Sequence, residues 1–134
     1  MRAAIVLALG CAACGPPRDS GCERDSECGG SLVCARNGDC LPASDVRIVR
    51  ITWTVRGQMA NATSCAQSPS LYLMFYGFDP NDAFGFEPVP CEAGLFTIDK
   101  LPSRFTSIEI GDNNRVKLEK VIDAQGNVAF DLVP

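Results

Sequence analysis

From Val49 to Arg56 apolar and polar side chains alternate without a break. Val49, Ile51, Trp53 and Val55 share one face, and Arg50, Thr52, Thr54 and Arg56 share the other. A period of two marks a strand with one face on a core and one in water, here spanning Val46–Val55. The period returns in Ser70–Tyr76, where Leu71, Leu73 and Phe75 oppose Tyr72, Met74 and Tyr76. Shorter apolar runs predict an edge strand over 84–87 and further strands over 95–98, 105–110, 116–122 and 128–133. Leu101-Pro102-Ser103, residues 111–114 and residues 123–127 supply the turns between them. A polar loop over 57–69 holds Cys65, and a proline-containing connection over 77–90 ends at Cys91. No convincing helical period or internal repeat appears in this half.

Six to seven short strands with turn signals about every ten residues predict a mainly β chain, an antiparallel β-sandwich over 45–134. The stretch before it follows a different rule. Cys22, Cys28, Cys34 and Cys40 fall at one repeated interval, with only Leu32 and Val33 strongly apolar between them. Ordering such a segment costs roughly 1–2 kcal/mol per residue in backbone entropy, and two aliphatic side chains return only about 1.5–3 kcal/mol each. Covalent bridges must hold residues 22–41, which places them in an oxidising compartment. A four-cysteine zinc site is the rival reading, but zinc modules bring ligands together on a C-x2-C knuckle that this spacing lacks. No metal or other cofactor is therefore expected. Four cysteines allow three pairings; Cys22–Cys34 with Cys28–Cys40 is the favoured one. Cys65 and Cys91, left as an even pair outside the finger, are expected to bridge each other.

Residues 1–13 join a charged Met1-Arg2 to an apolar run too short to cross a bilayer, which reads as an export signal. This segment resembles a bacterial lipoprotein signal, in which small residues precede a cysteine that is acylated. Cys11 and Cys14 compete for that role. Acylation of Cys14 leaves an even set of six cysteines, so Cys14 is expected to carry the lipid, with Cys11 the alternative. Residues 14–21, with Pro16-Pro17, would then form a polar tether. The resemblance implies a bacterial cell-envelope location, outer membrane rather than inner, with the membrane as partner through the anchor.

Two further resemblances rest on spacing. Cys22 to Cys40, with its Asp25-Ser26 and C-x5-C intervals, resembles the cysteine-rich module related to the Dickkopf N-terminal repeat. Trp53-Thr-Val-Arg-Gly57, Cys65, the strand at 71–76, Cys91 and Leu101-Pro102 occur in an order similar to the transthyretin-like, carboxypeptidase-regulatory sandwiches. Such domains serve as accessory or binding modules.

The chain has 134 residues, a net charge of −4 and no histidine. Histidine-dependent triads and dyads are excluded, and no phosphate-binding glycine loop occurs. The acidic balance argues against nucleic acid as a partner. Asp82, Glu87 and Glu92 are the carboxylates that a small periplasmic hydrolase, the alternative reading, would have to gather. Asp79-Pro80-Asn81-Asp82 begins like a calcium loop, but Ala83 and Pro90 stand where oxygen ligands are needed. Asn61-Ala62-Thr63 matches a glycosylation sequon and is read as an ordinary loop. The row Tyr72, Met74 and Tyr76 has two readings: a strand covered on both faces by loops, or an aromatic patch for a glycan or protein partner. The expectation is a non-catalytic binding or structural module.

Overall fold

The structure is a computed structural model and describes residues 21–79 and 81–134. A short 3-10 turn at Asp25–Glu27 leads into the hairpin β1 (Leu32–Cys34) and β2 (Cys40–Pro42), and a second turn at Ala43–Asp45 enters the sandwich. The sandwich contains β3 (Val46–Val55), β4 (Gln58–Met59), β5 (Ser70–Tyr76), β6 (Ala83–Pro90), β7 (Leu95–Pro102), β8 (Ser107–Gly111), β9 (Lys117–Val121) and β10 (Asn127–Leu132). Among the described residues no helix is long and apolar enough to cross a membrane.

In the first sheet β3 is central, with β10 along one edge and β7 and β4 on the other. The second sheet runs β6-β5-β8-β9 and is wholly antiparallel. The sandwich is antiparallel except for β3 and β10, which run parallel from Asn127 opposite Arg50 to Leu132 opposite Val55. Alternation fixes which face each strand buries, not which way its neighbour runs.

The period of two is realised where it was strongest. Val49, Ile51, Trp53 and Val55 are buried from the first sheet, and Leu71, Leu73, Phe75, Ile108 and Ile110 from the second. The Trp53 indole N–H donates to the Cys91 carbonyl at 2.7 Å, so its polar end is satisfied inside the core. Phe84 stacks on Phe75 at 5.3 Å between centroids and touches Phe105 at 5.0 Å, closing one end of the core. Several boundaries differ from the sequence expectation, and the edge strand expected over 84–87 is the longer β6, Ala83–Pro90. β7 continues through Leu101 and Pro102, because Leu101 is fully buried and opposes Arg47. The turn therefore slips on by one position, closed by the Phe105 N–H on the Pro102 carbonyl, and β8 begins only at Ser107.

The finger does not hang free. Opposite β3, strand β7 carries an extra residue: Arg47 faces Leu101 and Val49 faces Ile98, so Asp99 and Lys100 together oppose Ile48. Lys100 adopts a left-handed φ of 48° in this bulge. A bulge breaks the rule that successive side chains point to opposite faces. Asp99 pairs with Arg36 and Lys100 with Asp25, while the Lys100 carbonyl accepts the Arg36 N–H at 3.1 Å. Arg104, just past β7, adds a bond to Asp39 at 2.8 Å. Its guanidinium also holds Asp82 of the β5–β6 connection.

Candidate functional site

The six cysteines among the described residues form three bridges, Cys22–Cys34, Cys28–Cys40 and Cys65–Cys91. Their Cα separations of 5.7, 5.5 and 5.8 Å fall in the ordinary disulfide range. Sulfurs of Cys22, Cys28 and Cys34 crowd within 4.8 Å of one another because the two finger bridges lie side by side. A bridged sulfur is not a thiolate, so this cluster has no ligand to offer a metal. Cys65–Cys91 pins the loop after β4 to the end of β6 beneath the Trp53 indole. Cys11 and Cys14 lie outside the described residues.

The outer face of the second sheet gathers the Tyr72, Met74 and Tyr76 row with groups from three other strands. Side chains there follow the ladder register. Tyr72 lies opposite Gly111, Met74 between Gly85 and Glu109, and Tyr76 between Ala83 and Ser107. All three row residues are half-buried. Their shielding comes from the sheet itself, since two glycines give the row room to lie down. A Cβ on Gly111 would sit 2.7 Å from the Tyr72 ring carbon Cζ, and one on Gly85 would sit 3.1 Å from the Met74 sulfur. A side chain at either position would crowd the row and would also collide with a backbone carbonyl, that of Leu73 at Gly85 and that of Val116 at Gly111.

Glu109 stands at the centre of this face with a side chain only 7 % exposed. The Tyr72 hydroxyl donates to its Oε1 at 2.8 Å, and Lys117 Nζ lies 3.2 Å from its Oε2. A carboxylate withdrawn from water needs such partners. Burial, then the bond to Glu109, pushes the Tyr72 hydroxyl up to about 12. It therefore stays a neutral donor across the physiological range. The bond to Glu109 likewise raises the Lys117 ammonium above its ordinary value.

The hairpin between β8 and β9 is locked by Asp112. Burial alone would raise its carboxyl, but Ser68 and the backbone N–H groups of Arg115, Val116 and Asn114 donate to it and hold it far below the usual range. That lock places Asn113 above β5, where its Nδ2 donates to Glu87 Oε1 at 2.9 Å. Glu87 sits in a second irregularity: Leu71 faces Val89 and Leu73 faces Phe86, so Glu87 and Pro88 together oppose Tyr72. The Glu87–Asn113 bond closes one end of a shallow groove of about 520 Å³, lined by Tyr72, Met74, Gly85, Phe86, Glu87 and Asn113.

The carboxylates that hydrolysis would need are not gathered. Asp82 is bound to Arg104 before β6, Glu87 lies within it, and Glu92 is exposed in the turn after it. The outer two are separated by ten residues of mostly extended chain, roughly 30 Å at about 3.3 Å per residue. Asp79 accepts from the Asn81 backbone and side chain, which makes this loop a turn closed by its own acids. Asn61 does the same in its loop, accepting from the N–H groups of Thr63 and Ser64.

Sequence reasoning found the row but missed Glu109, Lys117 and the Glu87–Asn113 pair. The signal for Glu109 was present, since a carboxylate between Ile108 and Ile110 in a strand must point outward beside the row. What the groove offers is apolar walls, a fixed neutral phenol and a rim of carboxylate and amide. No protein-family model, curated protein or solved structure matches this chain.

Proposed function

We propose that this chain is a membrane-anchored envelope lipoprotein acting as a non-catalytic binding module. Its binding surface is the outer face of the β6-β5-β8-β9 sheet. The observation that carries the reading is that Tyr72, Met74 and Tyr76 lie in one half-buried row around a carboxylate that the sheet withdraws from water. Ordering long polar and aromatic side chains before a ligand arrives lowers the entropy cost of binding.

Two other features support the setting. Bridging of the six described cysteines fits an oxidising compartment, and residues 1–14 resemble an export signal followed by an acylated cysteine. The transthyretin-like order of Trp53, Cys65, β5 and Cys91 supports an accessory role beside a larger partner or polymer of the envelope.

Site-specific photo-crosslinking in the native envelope tests the reading. A benzophenone side chain at Tyr76 should give discrete adducts, and the same probe at Arg50, exposed on the other sheet, should give none. Equal adducts from both positions, or none from Tyr76, would remove the outer face as the binding surface.

A further inference from the structure

We propose that the groove over Gly85 binds one pyranose ring of a neutral saccharide. This deepens the reading of the outer sheet face as a binding surface and rests on it. The groove has two kinds of wall. Met74 and the Tyr72 ring are apolar, and both are held in place by packing over Gly85 and Gly111. Tyr72 is fixed further at its hydroxyl by Glu109. Gly85, which carries no side chain, lets Met74 lie low beside the groove, whose volume of about 520 Å³ lies within the roughly 300–1,000 Å³ of ordinary ligand sites.

The rim is polar and only partly used. Among the described residues, Glu87 and Asn113 make one side-chain bond, to each other. Asn113 retains a second N–H and its carbonyl oxygen, and Glu87 retains its second carboxylate oxygen. A planar donor–acceptor set of this kind matches neighbouring hydroxyls, each of which can donate and accept. A pyranose presents both complements at once, a flat face of C–H bonds for the Tyr72 and Met74 walls and hydroxyls along its edge for the rim.

Other ligand classes fit less well. No Lys or Arg lines the groove, and Glu87 would repel phosphate or another anion. A purely apolar ligand would cover Glu87 and Asn113 without replacing their water, which carries a desolvation penalty. A cation would find one exposed carboxylate, already bonded to Asn113, because the charge of Glu109 is met by Lys117.

The test uses the purified full chain, titrated with maltose, cellobiose and N,N′-diacetylchitobiose and, separately, with tetramethylammonium. NMR would follow the Gly85 backbone and Asn113 side-chain amides. At least one neutral sugar should shift both signals, with little dependence on salt. Asn113→Ala and Glu87→Ala should each weaken that sugar about tenfold, the effect of one lost hydrogen bond. Glu87→Gln, which keeps the plane and an acceptor, should retain most of the affinity.

Sugar binding that ignores both alanine variants, or shifts elsewhere in the chain, overturns the groove as the site. If only tetramethylammonium shifts these signals and Glu87→Gln abolishes the effect, the saccharide is overturned and the outer face stands as a cation-binding surface. With no probe bound, the saccharide falls alone if Tyr76 still crosslinks a partner. It falls together with the binding-surface reading if Tyr76 does not.

Discussion

Arg36 of the finger and Asp99 of β7 meet in a two-point fork, with Nε–H donating to Oδ1 at 2.5 Å and Nη2–H to Oδ2 at 2.9 Å. The geometry is the strong form of an ion pair, but both side chains are about half exposed, at 48 % and 49 %. Solvent therefore limits its energy. A double-mutant cycle of Arg36→Ala and Asp99→Ala should give a coupling below about 1 kcal/mol. The clearer effect should be local. Proteolysis of the finger seam should quicken in either single variant, while urea unfolding of the sandwich barely moves.

Acid should loosen the same seam. Hydrogen bonds from Lys100 to Asp25, from Asn37 and then Arg104 to Asp39, and from Arg36 to Asp99 hold all three carboxyls below their ordinary 3.8. Each stabilises docking fully above that ordinary value and loses its contribution as pH falls through the lowered one. Amide protection across residues 22–42, measured against the unstructured exchange rate at each pH, should hold down to about pH 4, given the ordinary 3.8, and fall below it. Added salt should narrow the effect, because screening weakens the pairs that lower these carboxyls. Protection that is lost between pH 7 and 5 would contradict this assignment.

The Cys65–Cys91 bridge closes a loop of 26 positions. Such a loop restricts the unfolded chain enough to contribute roughly 3–4 kcal/mol. Cys65→Ala with Cys91→Ala should therefore lower the urea midpoint strongly, because a small domain has only about 5–15 kcal/mol in total. Non-reducing peptide mapping of that variant should still recover Cys22 with Cys34 and Cys28 with Cys40.

Tyr72→Phe keeps the ring over Gly111 and removes only the hydroxyl that serves Glu109. The variant should lose about 1–3 kcal/mol, the cost of leaving a buried acceptor short of a donor. Tyr72→Phe with Glu109→Leu should recover part of that loss, since an apolar pair needs no donor. Chemical denaturation of the two variants beside wild type gives the comparison. If the double variant is less stable than Tyr72→Phe alone, the pairing of Glu109 with Lys117 outweighs its bond to Tyr72.

Acylation is tested by metabolic labelling with radioactive fatty acid in the native host. Label should enter wild type and Cys11→Ala but not Cys14→Ala. Retention in Cys14→Ala would transfer the lipid to Cys11 and leave a different thiol count in the mature chain.

The elements were legible where one face of a strand meets the core and the other meets water, as in Val49 to Val55 and Leu71 to Tyr76. Neighbours could then be guessed from turns of ordinary length. The two-residue β4 carries too little pattern to register, and Pro102 hid the last residues of β7. The seam was illegible for a different reason. Asp99 and Lys100 read as one more alternating pair, and only the bulge opposite Ile48 turns both toward the finger. Their partners lie 63 and 75 positions away, a distance that no local pattern spans. The Glu87–Asn113 rim escaped for the same cause, since each residue alone looks like a solvated loop acid or turn amide.

The parallel pairing of β3 with β10 joins the two ends of the sandwich. The first strand of the sandwich finds a partner in its last, with Thr54 bonded to Asp131 across 77 positions. Contacts of such sequence separation slow folding, because loop closure precedes any return. While the chain is still emerging, β3 has one edge unpaired, and the face bearing Ile51, Trp53 and Val55 lacks Val128, Phe130 and Leu132 beside it. An open edge of this kind recruits other chains. Loss of Asn127–Leu132 should therefore act far upstream, leaving β3 with an open edge, whereas a change of the same size in the exposed strand β9, which pairs with β8, removes no partner of β3.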